Sequence, residues 1–326
     1  MKITLVMGYF LPVPALAGGA TEKIWARLAQ HFAAAGHDLT IVSRRWPGLP
    51  DHETQGRLTH LRLRGTNHTR SLAVNLLFDA LWGARVLRAL PPADVVICNT
   101  ISLPACLRRF KPRAGRVAVV LGRMPKGQCR VYGSVDCAGR THVFPNPIDW
   151  EKLSAAPPRG AVGPIRIGYV GRVHPEKGLD LLIHAANHLA TRTDLPAWKL
   201  EIVGPAQVAQ GGGGESFAAG LQAALTPAAA PRVTFTGPEF DADALATRYA
   251  GFDVFCYPSI AEHGETFGIS VAEAMAAGGV PVVSQLACFR DLVTPELTGL
   301  VFDHTSARSA EELAGQLARL LAEPSL

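Results

Sequence analysis

Short apolar runs alternate with segments of helical periodicity along the whole chain, and this alternation is the strongest constraint on its fold. Ile3–Met7 is an apolar run typical of a buried parallel strand, and Ile24, Leu28 and Phe32 then recur every four residues, as on one face of a helix. Strands that alternate with helices need crossover connections, which produce parallel sheets covered by helices. The sequence therefore predicts an α/β fold.

The alternation occurs in two series, and a chain of 326 residues is long enough for two domains. In the first series we predict strands at Ile3–Met7, Leu39–Ser43, Val95–Cys98 and Val117–Leu121, a helix that Thr21 caps and a helix at Leu72–Leu90. In the second we predict strands at Arg166–Val170, Leu200–Val203, Val233–Thr236, Val254–Tyr257 and Pro281–Val283. The helices of the second series are predicted at Leu179–Leu189, Phe217–Leu225, Ala242–Tyr249, Ile269–Ala277 and Ala310–Leu321.

A stretch rich in proline separates the two series. Residues 144–164 contain five prolines and two glycines, and proline continues neither a helix nor a central strand. We therefore predict an N-terminal domain of residues 1–145, a linker of residues 146–164 and a C-terminal domain of residues 165–326. Ligands of open α/β sheets bind outside the carboxyl ends of the strands, so we expect the site in a cleft between the domains.

Charge is divided unevenly between the two halves. Residues 1–150 contain 20 Lys and Arg against 8 Asp and Glu, whereas residues 151–326 contain 12 against 19. The surplus in the first half indicates either an anionic partner or ordinary solvated arginines on helix surfaces. Nucleic acid is not expected, because the basic residues are not interleaved with aromatic ones and no known binding module is present.

Cysteine usage and hydropathy bear on the compartment. The six cysteines form no CxxC pair and no metal-ligand spacing, which favours a reducing cytoplasm and no bound metal. No run reaches the roughly 18 apolar residues of a membrane span. The apolar start of the chain is interrupted by Pro12 and Pro14, so we interpret it as a strand and a loop rather than a signal peptide.

The strongest motif is Glu265-Thr-Phe-Gly-Ile-Ser-Val-Ala-Glu273, in which Phe267-Gly268 opens a helix. Glycine lets a ligand approach the backbone closely, and a helix N-terminus offers free N–H groups to a phosphate. Glu273 would lie one to two turns into the helix, where its carboxylate could hold ribose hydroxyls. Taken alone, however, the two glutamates would be solvated acids on a surface helix.

A second motif gives the first its context. Gly171-Arg-Val-His-Pro-Glu-Lys-Gly178 follows a predicted strand and precedes a predicted helix. Arg172 and Lys177 can converge on a diphosphate, because arginine offers a planar fork and lysine a point charge. The glycines permit the tight turn from strand to helix, and His174 lies between the two cations.

Together these motifs resemble family 4 of the retaining glycosyltransferases, enzymes of bacterial polysaccharide and lipopolysaccharide synthesis. The resemblance is strongest from Val143 to Asp303. It includes Gly18-Gly19-Ala20-Thr21, Pro145-Asn-Pro-Ile-Asp149 and Glu273–Gly278 leading to Pro281. The family has the GT-B fold, so the resemblance implies two Rossmann-like domains whose parallel sheets face a central cleft.

The resemblance also implies a reaction and its residues. Family members transfer a sugar from a nucleotide diphosphate sugar, retain the anomeric configuration and use no metal or cofactor. Arg172 and Lys177 would neutralise the leaving diphosphate, since charge stabilisation is commonly the largest catalytic contribution, and Glu265 would contact the sugar. The donor-binding residues expected are Gly18 and Gly19 over the donor, Gly204 and Gly237 near the base, His263 lining the site, Phe267, Gly268 and Ile269 around the phosphate, and Glu273 on the ribose.

The acceptor side follows from the same resemblance. In the family the N-terminal domain binds the acceptor, often a lipid-linked or membrane-surface glycan, and here that half holds the basic surplus. Arg44, Arg45, Arg62, Arg64, Arg108, Arg109 and Arg113 are the candidate contacts with an anionic membrane surface. We therefore expect a cytoplasmic protein that binds the inner face of a membrane peripherally, with a soluble acceptor as the alternative.

Three other functions are weighed against this one. A nicotinamide-dependent dehydrogenase would need a GxGxxG turn after the first strand, and Gly8 followed by Gly18-Gly19 does not provide it. A nucleotide-sugar epimerase of GT-B fold stays open. A protein that binds the donor without turnover also stays open, because the strand ends at Cys98–Thr100 and Leu121–Arg123 lack the histidine common in the family.

Overall fold

The computed structural model describes residues 1–16, 19–69, 71–120, 145–156, 163–262 and 265–323. The chain divides into two compact units, Met1–Phe144 and Pro145–Leu326. Each contains one six-stranded sheet, and the α/β fold with parallel sheets predicted for both halves is confirmed. Among the described residues, no helix has both the length and the apolar character needed to span a bilayer.

The sheet of the N-terminal unit has the strand order β3-β4-β2-β1-β5-β6. Its strands are β1 (Lys2–Val6), β2 (Asp38–Arg44), β3 (His52–Gln55), β4 (Leu58–Leu63), β5 (Val95–Cys98) and β6 (Arg116–Val119). Its helices are α1 (Ala20–Ala34), α2 (Leu72–Ala89) and α3 (Leu103–Phe110). All strand pairs are parallel except β3 with β4 at the edge.

Both faces of this sheet are covered, as a parallel sheet requires. Leu5 of β1 packs in one cluster with Trp25 of α1, and Val6, which points to the opposite face, packs in another with Trp82 and Val86 of α2. The indole N–H of Trp82 donates to the carbonyl of Met7 at 2.9 Å. The alternation of side chains along one strand therefore anchors a different helix on each face.

The sheet of the C-terminal unit has the order β12-β11-β10-β7-β8-β9 and is parallel throughout. Its strands are β7 (Ile165–Val170), β8 (Trp198–Val203), β9 (Val233–Gly237), β10 (Val254–Tyr257), β11 (Val280–Ser284) and β12 (Leu300–Phe302). Its helices are α4 (Trp150–Ala155), α5 (Leu179–Ala190), α6 (Glu215–Ala223), α7 (Ala242–Ala250), α8 (Ile269–Ala276) and α9 (Ser309–Ala322).

The stretch predicted as a linker contains the helix α4. Asp149 caps this helix by accepting a hydrogen bond from the backbone N–H of Lys152 at 3.2 Å. Leu153 is buried in the core of the C-terminal unit, and α4 contacts α7 and α8. The prolines lie on either side of residues 148–156, so the composition of the whole stretch concealed a helix-forming segment inside it.

The hairpin of β3 and β4 was not predicted, and its residues show why. Every second residue of β4 is buried, as expected of a strand with one covered face. These buried positions hold Leu58, His60 and Arg62, and the last two are polar. Arg62 donates to the carbonyl of Pro50 at 2.6 Å and pairs with Glu53 at 3.0 Å. The expectation that Arg62 belongs to a basic outer surface is therefore wrong, because its side chain is buried and bonded within the unit.

The first turn of α1 contains a buried carboxyl group. The helix begins at Ala20, directly after Gly19, and no side chain caps it, so the predicted capping by Thr21 is wrong. Glu22 lies in this turn with 4% of its surface exposed, and burial raises the pKa of its carboxyl to about 7. Desolvation disfavours the charged form, so Glu22 is held most easily when protonated.

We predict that replacing Glu22 with glutamine stabilises the protein at alkaline but not at acidic pH. The folded-state pKa lies above the ordinary value of 4.5, so the protonated carboxyl stabilises the fold below about pH 4.5. That contribution is lost as the pH rises toward 7. Urea unfolding should show Glu22→Gln more stable than wild type at pH 8, by up to about 3 kcal/mol. At pH 4 the gap should close, and a gap independent of pH would contradict the assignment.

Candidate active site

The centre of the C-terminal sheet is where its strand order reverses. The chain runs outward from β7 through β8 to β9, then returns to β10 on the other side of β7 and continues through β11 to β12. Open α/β sheets bind ligands at the carboxyl ends of the strands beside such a reversal. The segments that follow β7 and β10 contain Arg172, Lys177 and Glu265, the residues predicted to be catalytic.

The turn after β7 is held directly against the segment after β10. The carbonyl of Glu176 accepts hydrogen bonds from the backbone N–H of Ile260 at 3.0 Å and from the hydroxyl of Ser259 at 3.3 Å. Gly178 is left-handed, with a φ of 64°, and a Cβ there would lie 2.1 Å from the carbonyl oxygen of Pro258. Only glycine fits this contact without displacing backbone, and the contact places Lys177 beside the second segment.

Lys177 and Glu265 form a buried ion pair. Lys177 Nζ donates to Glu265 Oε2 at 2.6 Å, and the two side chains are only 7% and 11% exposed. The Nζ atom also lies 5.5 Å from the ring centroid of Tyr257, a cation–π distance. Burial raises the pKa of Tyr257 well above its usual range, and the nearby Tyr169 and Glu265 act in the same direction.

Arg172 lies at the more open edge of the same turn. Its Nη2 is 2.5 Å from Glu176 Oε1, and its Nη1 donates to the carbonyl of Gly211 at 2.8 Å. Its own carbonyl accepts from the hydroxyl of Tyr169 at 2.8 Å, and the rings of Tyr169 and Tyr257 stack at 5.6 Å. The two predicted cations thus each contact one ring of the Tyr169–Tyr257 stack, Lys177 through its ammonium group and Arg172 through its backbone carbonyl. Each cation is paired with a carboxylate.

Glu273 lies five residues along α8, as predicted, but it faces inward. It is 3% exposed and accepts a hydrogen bond from the hydroxyl of Tyr249 at 3.0 Å. Burial raises the pKa of Tyr249 well above its usual range, and the charge of Glu273 adds to this. The interpretation of Glu265 and Glu273 as solvated acids on a surface helix is therefore wrong, because both carboxyl groups are inside the unit.

The start of α8 presents backbone N–H groups. Gly268, in the left-handed conformation, precedes the helix, and the described residues supply no side-chain cap for its first turn. Phe267 and Ile269 on either side are half-buried. A helix end of this kind has a positive dipole, which suits an anionic group.

The glycines predicted near the nucleotide base lie at the ends of β8 and β9. The backbone N–H of Gly204 donates to the carbonyl of Gly237 at 2.8 Å, and Gly171 N–H donates to the carbonyl of Val203 at 2.9 Å. The ends of β7, β8 and β9 are therefore joined in one edge. Of the other predicted residues, Gly19 precedes α1 in the N-terminal unit, and Gly18 and His263 lie outside the described residues.

Several residues of this site were not predicted. Glu176 pairs with Arg172, and the spacing of four residues between them is the only sequence signal that could have indicated it. Tyr169, Tyr257 and Tyr249 lie in strands and a helix where aromatic residues usually indicate core. The described residues contain no group of three or more His, Cys, Asp or Glu that could hold a metal ion.

Residues 164–323 match the model of the family described as Glycosyl transferases group 1. A phosphatidyl-myo-inositol mannosyltransferase of Mycobacterium leprae is 30% identical over 97% of this chain and 87% of its own. A GDP-mannose-dependent alpha-mannosyltransferase of Mycolicibacterium smegmatis is 41% identical over 42% of this chain and 30% of its own. A D-inositol 3-phosphate glycosyltransferase of Rhodococcus opacus is 30% identical over 49% of this chain and 33% of its own. The chain thus spans about a third of the length of the last two relatives.

Solved structures share the architecture. A glycosyltransferase from Rickettsia africae matches with a TM-score of 0.71 and 15% identity, over 99% of this chain and 88% of its own. An Anabaena protein solved with UDP and glucose matches with a TM-score of 0.68 and 18% identity, over 100% of this chain and 91% of its own. The fold is that of the GT-B glycosyltransferases, with two Rossmann-like units.

We predict that removing one partner of the Lys177–Glu265 ion pair destabilises the protein far more than removing both. Replacing Lys177 with methionine leaves a carboxylate buried without its partner, which should cost about 3 kcal/mol or more. The double variant Lys177→Met/Glu265→Gln removes both charges and should recover most of that loss. Urea unfolding of the three proteins measures the coupling. Equal stability of Lys177→Met and wild type would show that the pair is open to water.

Proposed function

Because the chain belongs to the group 1 glycosyl transferases, we propose that it transfers a sugar from a nucleotide diphosphate sugar to a glycan or lipid-linked acceptor. We further propose that it is a family 4 enzyme and retains the anomeric configuration. The observation that carries the proposal is the meeting of Arg172, Lys177 and Glu265 at the reversal point of the C-terminal sheet. The names of the relatives as mannosyl- and glycosyltransferases support it.

The chemistry centres on the leaving group. When the bond between the sugar and the diphosphate breaks, negative charge develops on the phosphate oxygens. Arg172 offers a planar fork to that charge and Lys177 a point charge, and the turn that contains both is held in place by its backbone hydrogen bonds. Positive charge placed in advance where negative charge develops stabilises a transition state. The N–H groups of Gly268 and Ile269 at the start of α8 are the proposed cradle for the phosphate.

The two carboxylates have different proposed roles. Glu265 holds Lys177 with one oxygen, and its remaining lone pairs accept from hydroxyls of the donor sugar. Glu273 is the proposed ribose contact, and that contact would require its carboxyl group, which is buried against Tyr249, to become accessible. Gly204 and Gly237 at the ends of β8 and β9 give the base a surface without side chains.

We propose that the reaction needs no metal ion, because Arg172 and Lys177 supply the positive charge at the diphosphate. A nucleotide-sugar epimerase is not favoured, since the relatives that match the chain are named as transferases. The single-turnover experiment below distinguishes an active transferase from a protein that binds the donor without turnover.

The test is single-turnover transfer from a panel of nucleotide sugars in the presence of a chelator. We expect transfer from one donor class with retained configuration, and transfer unchanged by the chelator. Arg172→Ala should weaken binding of the nucleoside diphosphate by roughly 10- to 150-fold, since hydrogen bonds to charged groups contribute about 1.5–3 kcal/mol. Lys199→Gln, at an exposed lysine of β8, is the control that should leave binding unchanged. Binding without product would indicate a protein that has lost turnover, and an epimerised donor would refute transfer.

We also propose that the N-terminal unit docks on an anionic membrane surface. Helix α2 exposes the large apolar side chains of Leu72, Leu76, Leu77 and Leu81. Helix α3, which contacts α2, exposes Arg108 and Arg109, and Arg113 is exposed just beyond it. Apolar and basic side chains on adjacent helices match the two components of a bilayer surface. Of the remaining predicted cations, Arg45 pairs with Asp51, Arg44 is half-buried and Arg62 is buried, whereas Arg64 is exposed.

We predict salt-sensitive binding of the whole protein to anionic vesicles and little binding to neutral ones. Each basic residue near an anionic leaflet contributes about 1 kcal/mol, so Arg108→Gln/Arg109→Gln should weaken binding by about thirtyfold. The control Lys199→Gln in the other unit should bind as wild type does. Co-sedimentation at low and physiological salt measures the difference. Equal binding to both vesicle types, or none at low salt, would point to a soluble acceptor.

A further inference from the structure

The two cations proposed for the diphosphate are held by carboxylates of very different mobility. Lys177 is buried with Glu265, and exchanging that partner for a ligand would require moving two buried side chains. Arg172 is 43% exposed and Glu176 33%, so their ion pair faces solvent and can open. The two cations and two carboxylates carry no net charge together, so an incoming diphosphate must compete with the carboxylates for them.

Both terminal nitrogens of Arg172 already donate a hydrogen bond. One terminal nitrogen is taken by Glu176 at 2.5 Å and the other by the carbonyl of Gly211 at 2.8 Å. The carbonyl is fixed in the backbone and neutral, whereas the Glu176 carboxylate is charged and lies on a side chain. Phosphate and carboxylate are both anions and repel each other at one cation, so a phosphate that binds Arg172 displaces the carboxylate rather than the neutral carbonyl.

The backbone of Glu176 stays in place when its side chain moves. Its N–H donates to His174 Nδ1 at 3.3 Å, and its carbonyl accepts from Ile260 and Ser259 of the segment after β10. None of these bonds uses the carboxylate. The side chain can thus leave Arg172 without disturbing the turn that positions Lys177.

We propose that Glu176 is an internal competitor of the diphosphate for Arg172. Its carboxylate occupies the arginine when no donor is bound, yields it on binding and takes it back as the nucleoside diphosphate leaves. The competition lowers the affinity for that product and speeds its release. This inference rests on the proposed function, since it concerns the same diphosphate site.

The test is the affinity of Glu176→Gln for UDP, GDP and ADP, measured by calorimetry on the full chain. Glutamine has the shape of glutamate but not its charge, so the nucleoside diphosphate that binds wild type should bind the variant about two- to fivefold more tightly. That range is the strength of a partly exposed ion pair. A gain in affinity cannot arise from misfolding, which makes the sign of the effect informative.

Two further variants isolate the cause. Glu296→Gln removes the carboxylate of another pair, with Arg319, whose arginine is equally exposed at 43%, and it should leave nucleotide affinity unchanged. In the Arg172→Ala background, Glu176→Gln should have no effect, because the competitor acts through that arginine. In turnover, Glu176→Gln should show stronger inhibition by the nucleoside diphosphate product.

The outcomes separate this inference from the proposed function. If wild type binds a nucleoside diphosphate and Glu176→Gln binds it equally or more weakly, Glu176 positions Arg172 instead of competing for it, and the inference is overturned. A gain that persists in the Arg172→Ala background overturns it as well. If neither protein binds any of the nucleotides, the proposed function fails and the inference with it.

Discussion

The contact between the turn after β7 and the segment after β10 supports everything else at the site. This contact consists of two hydrogen bonds to the Glu176 carbonyl and the close approach of Gly178 to Pro258. It joins segments that are distant in the chain, because the end of β7 at Val170 and the start of β10 at Val254 are 84 residues apart. Because this contact is made by backbone, it holds the turn against the start of the segment that leads to Glu265. Lys177 therefore lies beside the segment that supplies its carboxylate partner, Glu265.

Burial then separates the two cations into different roles. Lys177 is enclosed with Glu265 above the ring of Tyr257, where a charge acts with little screening. Arg172 lies nearer to solvent, and its pair with Glu176 exchanges more easily. Under the proposed function, one fixed and one exchangeable cation would bind a diphosphate firmly enough for reaction and still release the product. Competition by Glu176 would adjust that balance.

Local sequence patterns were sufficient for most elements and insufficient for particular ones. The strands β7, β8 and β10 are short, mainly apolar runs, and glycine or proline follows each of them. The apolar run and the residue that ends it identify these strands from the sequence. The strand β4 was missed because Arg62 occupies an inward position, and a charge there is tolerated only because Pro50 and Glu53 happen to meet it. Helix α4 was missed because the flanking prolines outweighed Asp149 and Leu153 in the composition of the stretch.

The sequence by itself determined the class of fold and the motifs that single out Arg172, Lys177 and Glu265, since each depends on residues close together in the chain. Only the tertiary structure decided how these residues are paired. Lys177 meets Glu265 across 88 residues, and Glu273 turns inward to Tyr249, because strand order and helix packing set which side chains share a space. Charge pairing and burial depend on that shared space, and periodicity along one segment carries no information about the segment that will pack against it.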